Sequence, residues 1–318
     1  MTADIAWLDG TILPRAALAL PVGDAGFVLG ATVTEQLRTF RGRLFLPDEH
    51  ASRLAESLAL VGIEPPVPVA EILRAAAAVA ARNHAAGAAG SDLGVVAFVT
   101  PGDLPSQHGG RCGTPRAAVH SFPLAFGAWA AAYQAGVRLR QVSVRQVPEA
   151  CWPQRAKVRS RLHYFLADRE ARGREPESRA ILAHADGRIS ETSTANLAVV
   201  HAGGIVAPPP ADALPGISLG FTRRLAARLG IPWREASLTA ADLATADEIL
   251  LTSTPSCILP ATRFDGLAVG DGRPGPVFGR LLAAWSDAVG LDIRGQAYAC
   301  AGPEQVAAAQ PASWGGPR

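Results

Sequence analysis

Alternating hydrophobic and polar residues in the first part of the chain predict β-strands. Residues 5–13 have the pattern of two short strands around a D-G turn, and residues 33–46 repeat it around an R-G turn. Largely apolar segments at 92–100 and 117–125 predict two further strands that are buried in a sheet.

Apolar residues spaced three and four positions apart predict two helices among these strands. The first follows Asp48, the expected N-cap, and ends at Gly62. The second covers residues 69–87. Strands and helices in this order predict a small N-terminal α+β domain at residues 1–124.

The rest of the chain predicts a larger α+β domain. Its strands are expected at 137–144, 178–185, 189–200, 231–238 and 247–254, and its helices at 160–173, 217–230, 239–246 and 277–290. We assign this domain to residues 137–296, with an interdomain linker at 125–136 and a disordered tail at 297–318. The fold class is therefore α+β with two domains, and the active site is expected in the cleft between them.

Composition excludes several classes of function. The net charge of +2 gives no electrostatic argument for nucleic-acid binding. A content of 48% hydrophobic and 18% charged residues favours a packed globule. We predict no membrane span and no signal peptide. The four cysteines are scattered, which predicts a cytoplasmic protein without a metal site or disulfide framework.

The basic residues are unevenly divided between lysine and arginine. Of the 30, only Lys157 is a lysine, so the other 29 are arginines. Arginine supplies charge as well as lysine does, but it cannot act as a nucleophilic amine. Lys157 therefore marks either a position that requires amine chemistry or one codon that escaped a GC-rich bias.

Three segments carry residues suited to phosphate. Residues 216–220 open a helix where Ser218 is expected to cap the first turn, and free amides at a helix start bind anions. Residues 252–256 place hydroxyls at the end of a strand, and Arg53 can make bidentate contacts. Glu191, on a strand, would need a cationic partner if it is buried.

The sequence G-I-S-L-G at 216–220 also fits the nucleophile elbow of serine hydrolases, with Ser218 as nucleophile. An elbow requires a strand directly before the serine. The prolines at 208–210 and at Pro215 do not suit a central strand. A serine hydrolase remains the alternative from a different class.

A lysine, a carboxylate on a strand and phosphate-binding loops are together the parts that hold pyridoxal 5'-phosphate. The lysine forms a Schiff base, the carboxylate keeps the pyridine nitrogen protonated, and the loops bind the phosphate.

The order and spacing of these segments resemble the class IV aminotransferases, the fold-type IV pyridoxal-phosphate enzymes. That family includes branched-chain aminotransferases, D-amino-acid aminotransferases and aminodeoxychorismate lyases. The resemblance runs from about residue 5 to residue 290. It rests on WLDGTILP, DAGFVLG, VTEQLRTFRGRLF, DEHASRL, AKVRSRLHYFLADREA, GRISETSTANLAVV, ALPGIS and ADEILLTSTPSCILPATRFDG, which stand in the family's order.

The resemblance implies a role for each matched residue. Lys157 takes the place of the Schiff-base lysine and acts as the catalytic residue. The implied cofactor-binding residues are Arg53, Glu191, Leu214, Ile217, Ser218 and Thr254. The implied reaction moves an amino group between an amino acid or amine donor and a 2-oxo acid acceptor. The resemblance also implies a homodimer.

Substrate recognition departs from the family's pattern. Pro101 stands where D-amino-acid aminotransferases have arginine, and Ser106 stands where another arginine is expected. Candidate substrate-binding residues are Thr34, Arg38, His108 and Arg161, with Arg111 as a further candidate for the carboxylate. An L-branched-chain amino acid, a D-amino acid and an amine all remain open. Arg161 also matches an arginine of the lyases, so release of pyruvate from aminodeoxychorismate is the alternative within the family.

Overall fold

A computed structural model describes residues 4–88 and 90–301. Contacts divide the chain into two units. The first is Met1–Leu124 with Trp152–Arg161, and the second is Ala125–Cys151 with Leu162–Arg318. Both units combine helices with sheets, so the predicted α+β class is confirmed. Over the described ranges, no helix is long and apolar enough to cross a membrane.

The first unit is built on a six-stranded antiparallel sheet. Its strands are β1 (Ile5–Leu8), β2 (Thr11–Pro14), β3 (Val33–Phe40), β4 (Arg43–Leu44), β5 (Leu93–Thr100) and β6 (Arg116–Pro123). They lie in the order β2-β1-β6-β5-β3-β4. Its helices are α1 (Ala25–Val28), α2 (Pro47–Val61) and α3 (Val69–Ala86).

The two faces of this sheet differ in chemistry. One face packs against α2 and α3 in a core that includes Val33, Leu37, Leu54, Leu58, Ile72, Val79, Val95, Val99 and Val119. Side chains alternate along a strand, so the residues between these point to the opposite face. We call this opposite face the polar face and define it by Thr34, Gln36, Arg38, Phe98 and His120.

The second unit contains the longer sheet. Its strands are β7 (Val137–Arg145), β8 (Arg179–Ala183), β9 (Ile189–Thr192), β10 (Asn196–His201), β11 (Gly204–Ala207), β12 (Trp233–Glu235), β13 (Glu248–Ser253), β14 (Cys257–Phe264) and β15 (Leu267–Ala268). The order is β12-β11-β10-β13-β14-β7-β8-β9, with β15 beside β14. Its helices are α4 (Phe126–Ala135), α5 (Leu162–Arg174), α6 (Ile217–Arg228), α7 (Ala240–Ala244), α8 (Pro276–Val289) and α9 (Ile293–Cys300).

Parallel pairing in this sheet depends on helical crossovers. Strands β7 and β8 are parallel, and α5 connects them. Ala167 and Ala171 of α5 pack on Val142, Ala180 and Leu182 of the two strands. This crossover brings the beginning of α5 into the region that holds Glu191.

The predicted linker, residues 125–136, contains the helix α4. Phe126, Trp129 and Tyr133 are buried in it. The Tyr133 hydroxyl donates to the carbonyl of Ser256 at 3.0 Å. The apolar residues that we interpreted as a connection therefore anchor a helix within the second unit.

Several element boundaries also differ from prediction. The N-cap of α2 is Leu46, and Asp48 lies inside the first turn. The predicted strand at 189–200 is two strands, because Thr192 and Ala195 hydrogen-bond to each other at 2.9 Å and close a turn. Strands β11, β14 and β15 and helices α1 and α9 were not predicted. Residues 297–300 of the predicted tail belong to α9, and residues 302–318 lie outside the described residues.

Candidate active site

Lys157 lies in an extended segment that is bonded to β3 and α2. The amide of Thr34 donates to the Lys157 carbonyl at 2.9 Å. The amide of Lys157 donates to Ser57 Oγ on α2 at 3.1 Å. These bonds agree with the grouping of residues 152–161 with the first unit, whereas the predicted domain bounds put these residues in the larger domain.

A buried carboxylate lies on β3, the strand that binds the Lys157 segment. Glu35 accepts from Arg53 Nε at 2.7 Å and from Arg53 Nη2 at 2.8 Å. Its Oε2 lies 2.7 Å from His50 Nδ1. His50 and Arg53 are three residues apart on α2 and therefore share the face that meets β3. We call Glu35, His50 and Arg53 the buried triad.

Electrostatics fix the charges within the buried triad. Burial alone would raise the pKa of Glu35, but the charge of Arg53 and the hydrogen bonds from Arg53 and His50 lower it to about 2. Burial lowers the pKa of His50 despite its bond to Glu35, and the charges of Arg53 and Lys157 lower it further. Glu35 is therefore ionised and His50 neutral at pH 7, and the charge of Lys157 acts on the triad.

The second unit holds a different carboxylate arrangement around Glu191. This residue lies on β9, is 7% exposed, and accepts a hydrogen bond at each carboxylate oxygen. Tyr164 of α5 donates its hydroxyl to Oε1 at 2.6 Å. Asn196 of β10 donates from Nδ2 to Oε2 at 3.0 Å and also to the Leu214 carbonyl at 2.8 Å. Asn196 thus ties the loop before α6 to Glu191.

Close packing explains the glycine of the L-P-G-I-S segment. A Cβ on Gly216 would lie 1.8 Å from Asn196 Oδ1, so a larger residue cannot occupy this position without displacing Asn196. Gly216 is also the N-cap of α6, and no side chain caps the helix there. The predicted capping role of Ser218 is therefore wrong, because Ser218 lies inside the first turn.

Two buried hydroxyls of the second unit have no hydrogen-bond partner among the residues that the structure describes. They are Ser218 Oγ, one residue after Ile217 starts α6, and Thr252 Oγ1 near the end of β13. Thr252 is the cross-strand neighbour of Asn196. Thr254 is half-buried in the following turn, before β14. Unpaired hydroxyls and an uncapped helix start suit an anion such as phosphate.

The predicted substrate residues fall into two groups. Thr34 and Arg38 both lie on the polar face. The Thr34 hydroxyl donates to the Ala97 carbonyl at 3.3 Å. The Arg38 side chain is buried, with its guanidinium carbon 4.1 Å from the ring centre of Phe40.

The other two substrate candidates are exposed. His108 follows a short 3-10 turn, and its Nδ1 lies 4.0 Å from Asp103 Oδ2. Arg161 is at the end of the Lys157 segment. The sequence analysis missed the partners His50, Ser57, Tyr164 and Asn196. Two signals were available in the sequence: a histidine three residues before Arg53, and an asparagine directly before the apolar residues 197–200.

Ser218 does not occupy a nucleophile elbow. Strand β11 ends at Ala207, and residues 208–216 separate it from α6. The strand-to-helix turn that exposes a nucleophilic serine is thus absent at this position. The serine hydrolase alternative has no structural support.

A family model described as amino-transferase class IV matches residues 32–264. The chain belongs to the class IV aminotransferases. This membership makes it an enzyme of the transaminase type. The matched region contains Lys157 and all the predicted cofactor-binding residues, and it extends into both units.

Individual class IV aminotransferases are similar over nearly the whole chain. The D-alanine aminotransferase of Bacillus licheniformis is 28% identical, over 88% of this chain and 95% of its own. The branched-chain-amino-acid aminotransferase of Salmonella typhimurium is 29% identical, over 89% and 92%.

Solved class IV structures match the fold as well. The Escherichia coli branched-chain amino acid aminotransferase is 26% identical with a TM-score of 0.82, covering 93% of this chain and 96% of its own. A T.th. branched-chain amino acid aminotransferase, solved with pyridoxamine 5'-phosphate, is 25% identical with a TM-score of 0.79, covering 91% and 95%. Both D-alanine and branched-chain enzymes are thus similar at this level, and similarity alone does not select a substrate.

Proposed function

We propose that this class IV aminotransferase uses pyridoxal 5'-phosphate and moves an amino group between an amino acid or amine and a 2-oxo acid. Lys157 would hold the cofactor covalently through its side-chain amine. One observation carries the proposal. The single lysine of the chain is bonded through its backbone to both β3 and α2, beside the buried triad.

The second unit contains groups that fit the rest of the cofactor. Ser218 Oγ and the uncapped start of α6 suit the phosphate, with Thr254 and Arg53 as further ligands. Glu191 suits the protonated pyridine nitrogen, because Tyr164 and Asn196 orient its carboxylate. Leu214, whose carbonyl Asn196 binds, would pack on the ring, and Ile217 would offer its amide.

The cofactor and the residues around it have distinct roles in the proposed reaction. Bound pyridoxal phosphate supplies an electron sink for the negative charge that develops at the substrate α-carbon. Lys157 Nζ removes the α-proton as a general base and returns a proton as a general acid. Glu35 fixes the guanidinium of Arg53 through two hydrogen bonds and so orients it toward an anion.

A spectroscopic and kinetic comparison of two variants tests this proposal. Lys157→Arg keeps the charge but removes the amine. We expect no absorption band that borohydride abolishes, and a loss of transaminase activity of about a thousandfold or more, since acid–base catalysis contributes ~10²–10⁴. The matched control Arg155→Lys retains a cation beside Glu56 and should keep normal activity.

The amino donors are then surveyed with wild-type protein and a 2-oxo acid acceptor. Transfer from a D-amino acid, an L-branched-chain amino acid or an amine would define the substrate class. Full activity in Lys157→Arg would refute the proposal. Pyruvate released from aminodeoxychorismate with no acceptor present would favour the lyase.

We also propose that the enzyme is a homodimer. An exposed apolar patch in the first unit supports this assignment. Val22, Phe27 and Leu29 are 82%, 74% and 62% exposed around α1. Such a patch favours association between proteins. Light scattering on wild type and Phe27→Asp would test it, and a wild-type protein that stays monomeric at micromolar concentration would rule it out.

A further inference from the structure

Arg159 lies two residues after Lys157, and backbone pairing sets the direction of both side chains. Val158 lies opposite Val33 in an antiparallel bridge, and both valines pack in the core. The Arg159 amide donates to the Thr32 carbonyl at 2.9 Å, which continues the pairing. Since side chains alternate along an extended segment, the Cβ atoms of Lys157 and Arg159 both lie on the side of the polar face.

Contacts on the polar face agree with this direction. The Arg159 guanidinium carbon lies 5.7 Å from the ring centre of Phe98. Phe98 is the cross-strand neighbour of Thr34. Burial lowers the pKa of His120, also on this face, and the charge of Arg159 lowers it further. Arg159 therefore lies over the polar face, on the side from which the Lys157 side chain starts.

The sheet offers Arg159 no carboxylate. Its six strands contain a single acidic residue, Glu35, whose side chain lies on the other face in the buried triad. No ion pair joins the Arg159 side chain to an acid within residues 4–88 and 90–301. Arg155, in the same segment, does pair with Glu56. Although Arg159 is exposed to solvent, partial desolvation and the charge of Arg161 lower its pKa, so an added anion would be stabilised there.

We propose that Arg159 binds the α-carboxylate of the amino-acid donor and of the 2-oxo acid acceptor, an inference that rests on the proposed function. Side chains two residues apart in an extended segment are separated by about 6.6 Å. Lys157 must reach the α-carbon, and a guanidinium binds a carboxylate at N···O distances of about 2.8 Å. A carboxylate bonded directly to the α-carbon matches that separation.

Arg38 shares the polar face but is a weaker candidate for the same role. It is 1% exposed, its guanidinium stacks over Phe40, and its Nε donates to the Thr39 carbonyl at 3.3 Å. Arg159 is the more exposed cation and lies closer to Lys157 along the chain. These observations favour Arg159 over Arg38, and the variant Arg161→Gln tests the remaining candidate.

The experiment compares Arg159→Gln, Arg159→Lys, Arg161→Gln and the control Arg155→Gln, all loaded with pyridoxal phosphate. Affinity for 4-methylvalerate, a carboxylate without an amino group, is measured by its effect on the cofactor absorption. KM and kcat are measured for a 2-oxo acid and for an amine donor that lacks a carboxylate. Borohydride-sensitive absorption checks that each variant holds the cofactor.

We expect Arg159→Gln to weaken 4-methylvalerate binding and raise KM for the 2-oxo acid by about 10- to 100-fold, the loss typical of a charge-assisted pair. KM for the carboxylate-free amine should stay unchanged. Arg159→Lys should fall between wild type and Arg159→Gln, because lysine keeps the charge without the bidentate fork. Arg155→Gln should behave as wild type.

The experiment distinguishes failure of this inference from failure of the proposed function. A cofactor-loaded Arg159→Gln with wild-type affinity for the carboxylate would overturn this inference alone, as would a loss found only in Arg161→Gln. Wild-type protein that takes up no pyridoxal phosphate would overturn the proposed function, and this inference with it.

Discussion

The two units of this aminotransferase present their buried polar residues in opposite ways. In the first unit, Glu35 is paired with a full positive charge on Arg53 in the buried triad. In the second, Glu191 accepts hydrogen bonds from the neutral groups of Tyr164 and Asn196, and Ser218 Oγ has no partner within the described ranges.

This difference predicts that substitutions at the two carboxylates have different effects. Those at Glu35 should affect folding stability, and those near Glu191 should affect cofactor binding. Removing Glu35 from the buried ion pair leaves the charge of Arg53 uncompensated, so this change should mainly reduce stability. Hydrogen bonds from neutral donors to a carboxylate contribute less, about 1.5–3 kcal/mol each. Changes around Glu191 should therefore reduce cofactor binding more than folding.

The largest expected effect on folding is from Glu35→Gln. This change leaves Arg53 without its carboxylate, and we expect a loss of about 3–5 kcal/mol in the free energy of unfolding, measured with urea. The control Glu56→Gln breaks the exposed pair with Arg155 and should cost less than about 1 kcal/mol. Equal losses of unfolding free energy in Glu35→Gln and Glu56→Gln would contradict the claim that burial makes the Glu35–Arg53 pair more important for stability than the exposed pair.

Asn196→Ala should have the next largest effect. It removes the bonds to Glu191 and to the Leu214 carbonyl, and we expect pyridoxal phosphate to bind about 10- to 100-fold more weakly. Tyr164→Phe removes only one bond to Glu191 and should weaken binding about tenfold or less. Titration of the cofactor absorption measures both. The reverse order would show that Asn196 does not organise this site.

Acid should destabilise the protein through the buried triad. The pKa of His50 is lowered on folding, so its contribution is present above its ordinary value of 6.5 and declines as the pH falls below it. The pKa of Glu35 falls from 4.5 to about 2, so its contribution, on the order of 3 kcal/mol, is lost between those values.

Urea unfolding of wild type and Glu35→Gln between pH 7 and pH 3 checks this prediction. Wild type should lose stability continuously on acidification, and the variant should lose much less below pH 4.5. Parallel pH profiles for the two proteins would exclude Glu35 as the source.

Ser218→Ala should give the smallest effect, and it should increase the stability of the cofactor-free protein where the earlier changes reduce stability or binding. The change removes a buried hydroxyl that lacks a partner, so the cofactor-free protein should gain up to about 1 kcal/mol in stability. Cofactor affinity should fall about two- to tenfold. The comparison variant Thr222→Ala removes a hydroxyl that donates to the Ser218 carbonyl at 2.8 Å and should reduce stability instead. Urea unfolding curves of both variants, measured with and without pyridoxal phosphate, distinguish an effect on folding stability from an effect on cofactor affinity.

Local patterns in the sequence predicted much of the fold, and long-range contacts account for most of what they missed. Alternation in 33–46 and helical spacing in 69–87 identified β3 and α3 well. The alanine-rich residues 126–135 were misread because they lack the polar positions that mark one face of a helix. Strand β14 was missed although its first five residues, 257–261, are apolar.

At the candidate site, too, individual residues were predicted from the sequence and the long-range contacts between them were not. Lys157, Arg53 and Glu191 were predicted from residue type and order. The bonds from Lys157 to Thr34 and from Tyr164 to Glu191 join distant parts of the chain, and no local pattern specifies them. The grouping of residues 152–161 with the first unit depends on such contacts.

The most direct test of the central claim is to locate the covalent cofactor. Protein loaded with pyridoxal phosphate is reduced with borohydride, digested and analysed by mass spectrometry. The side chain of Lys157 and the N-terminal α-amino group are the only primary amines in the sequence. The account predicts a stoichiometric phosphopyridoxyl group on the peptide that contains Lys157. An unmodified Lys157, or modification confined to the N-terminal amine, would contradict it.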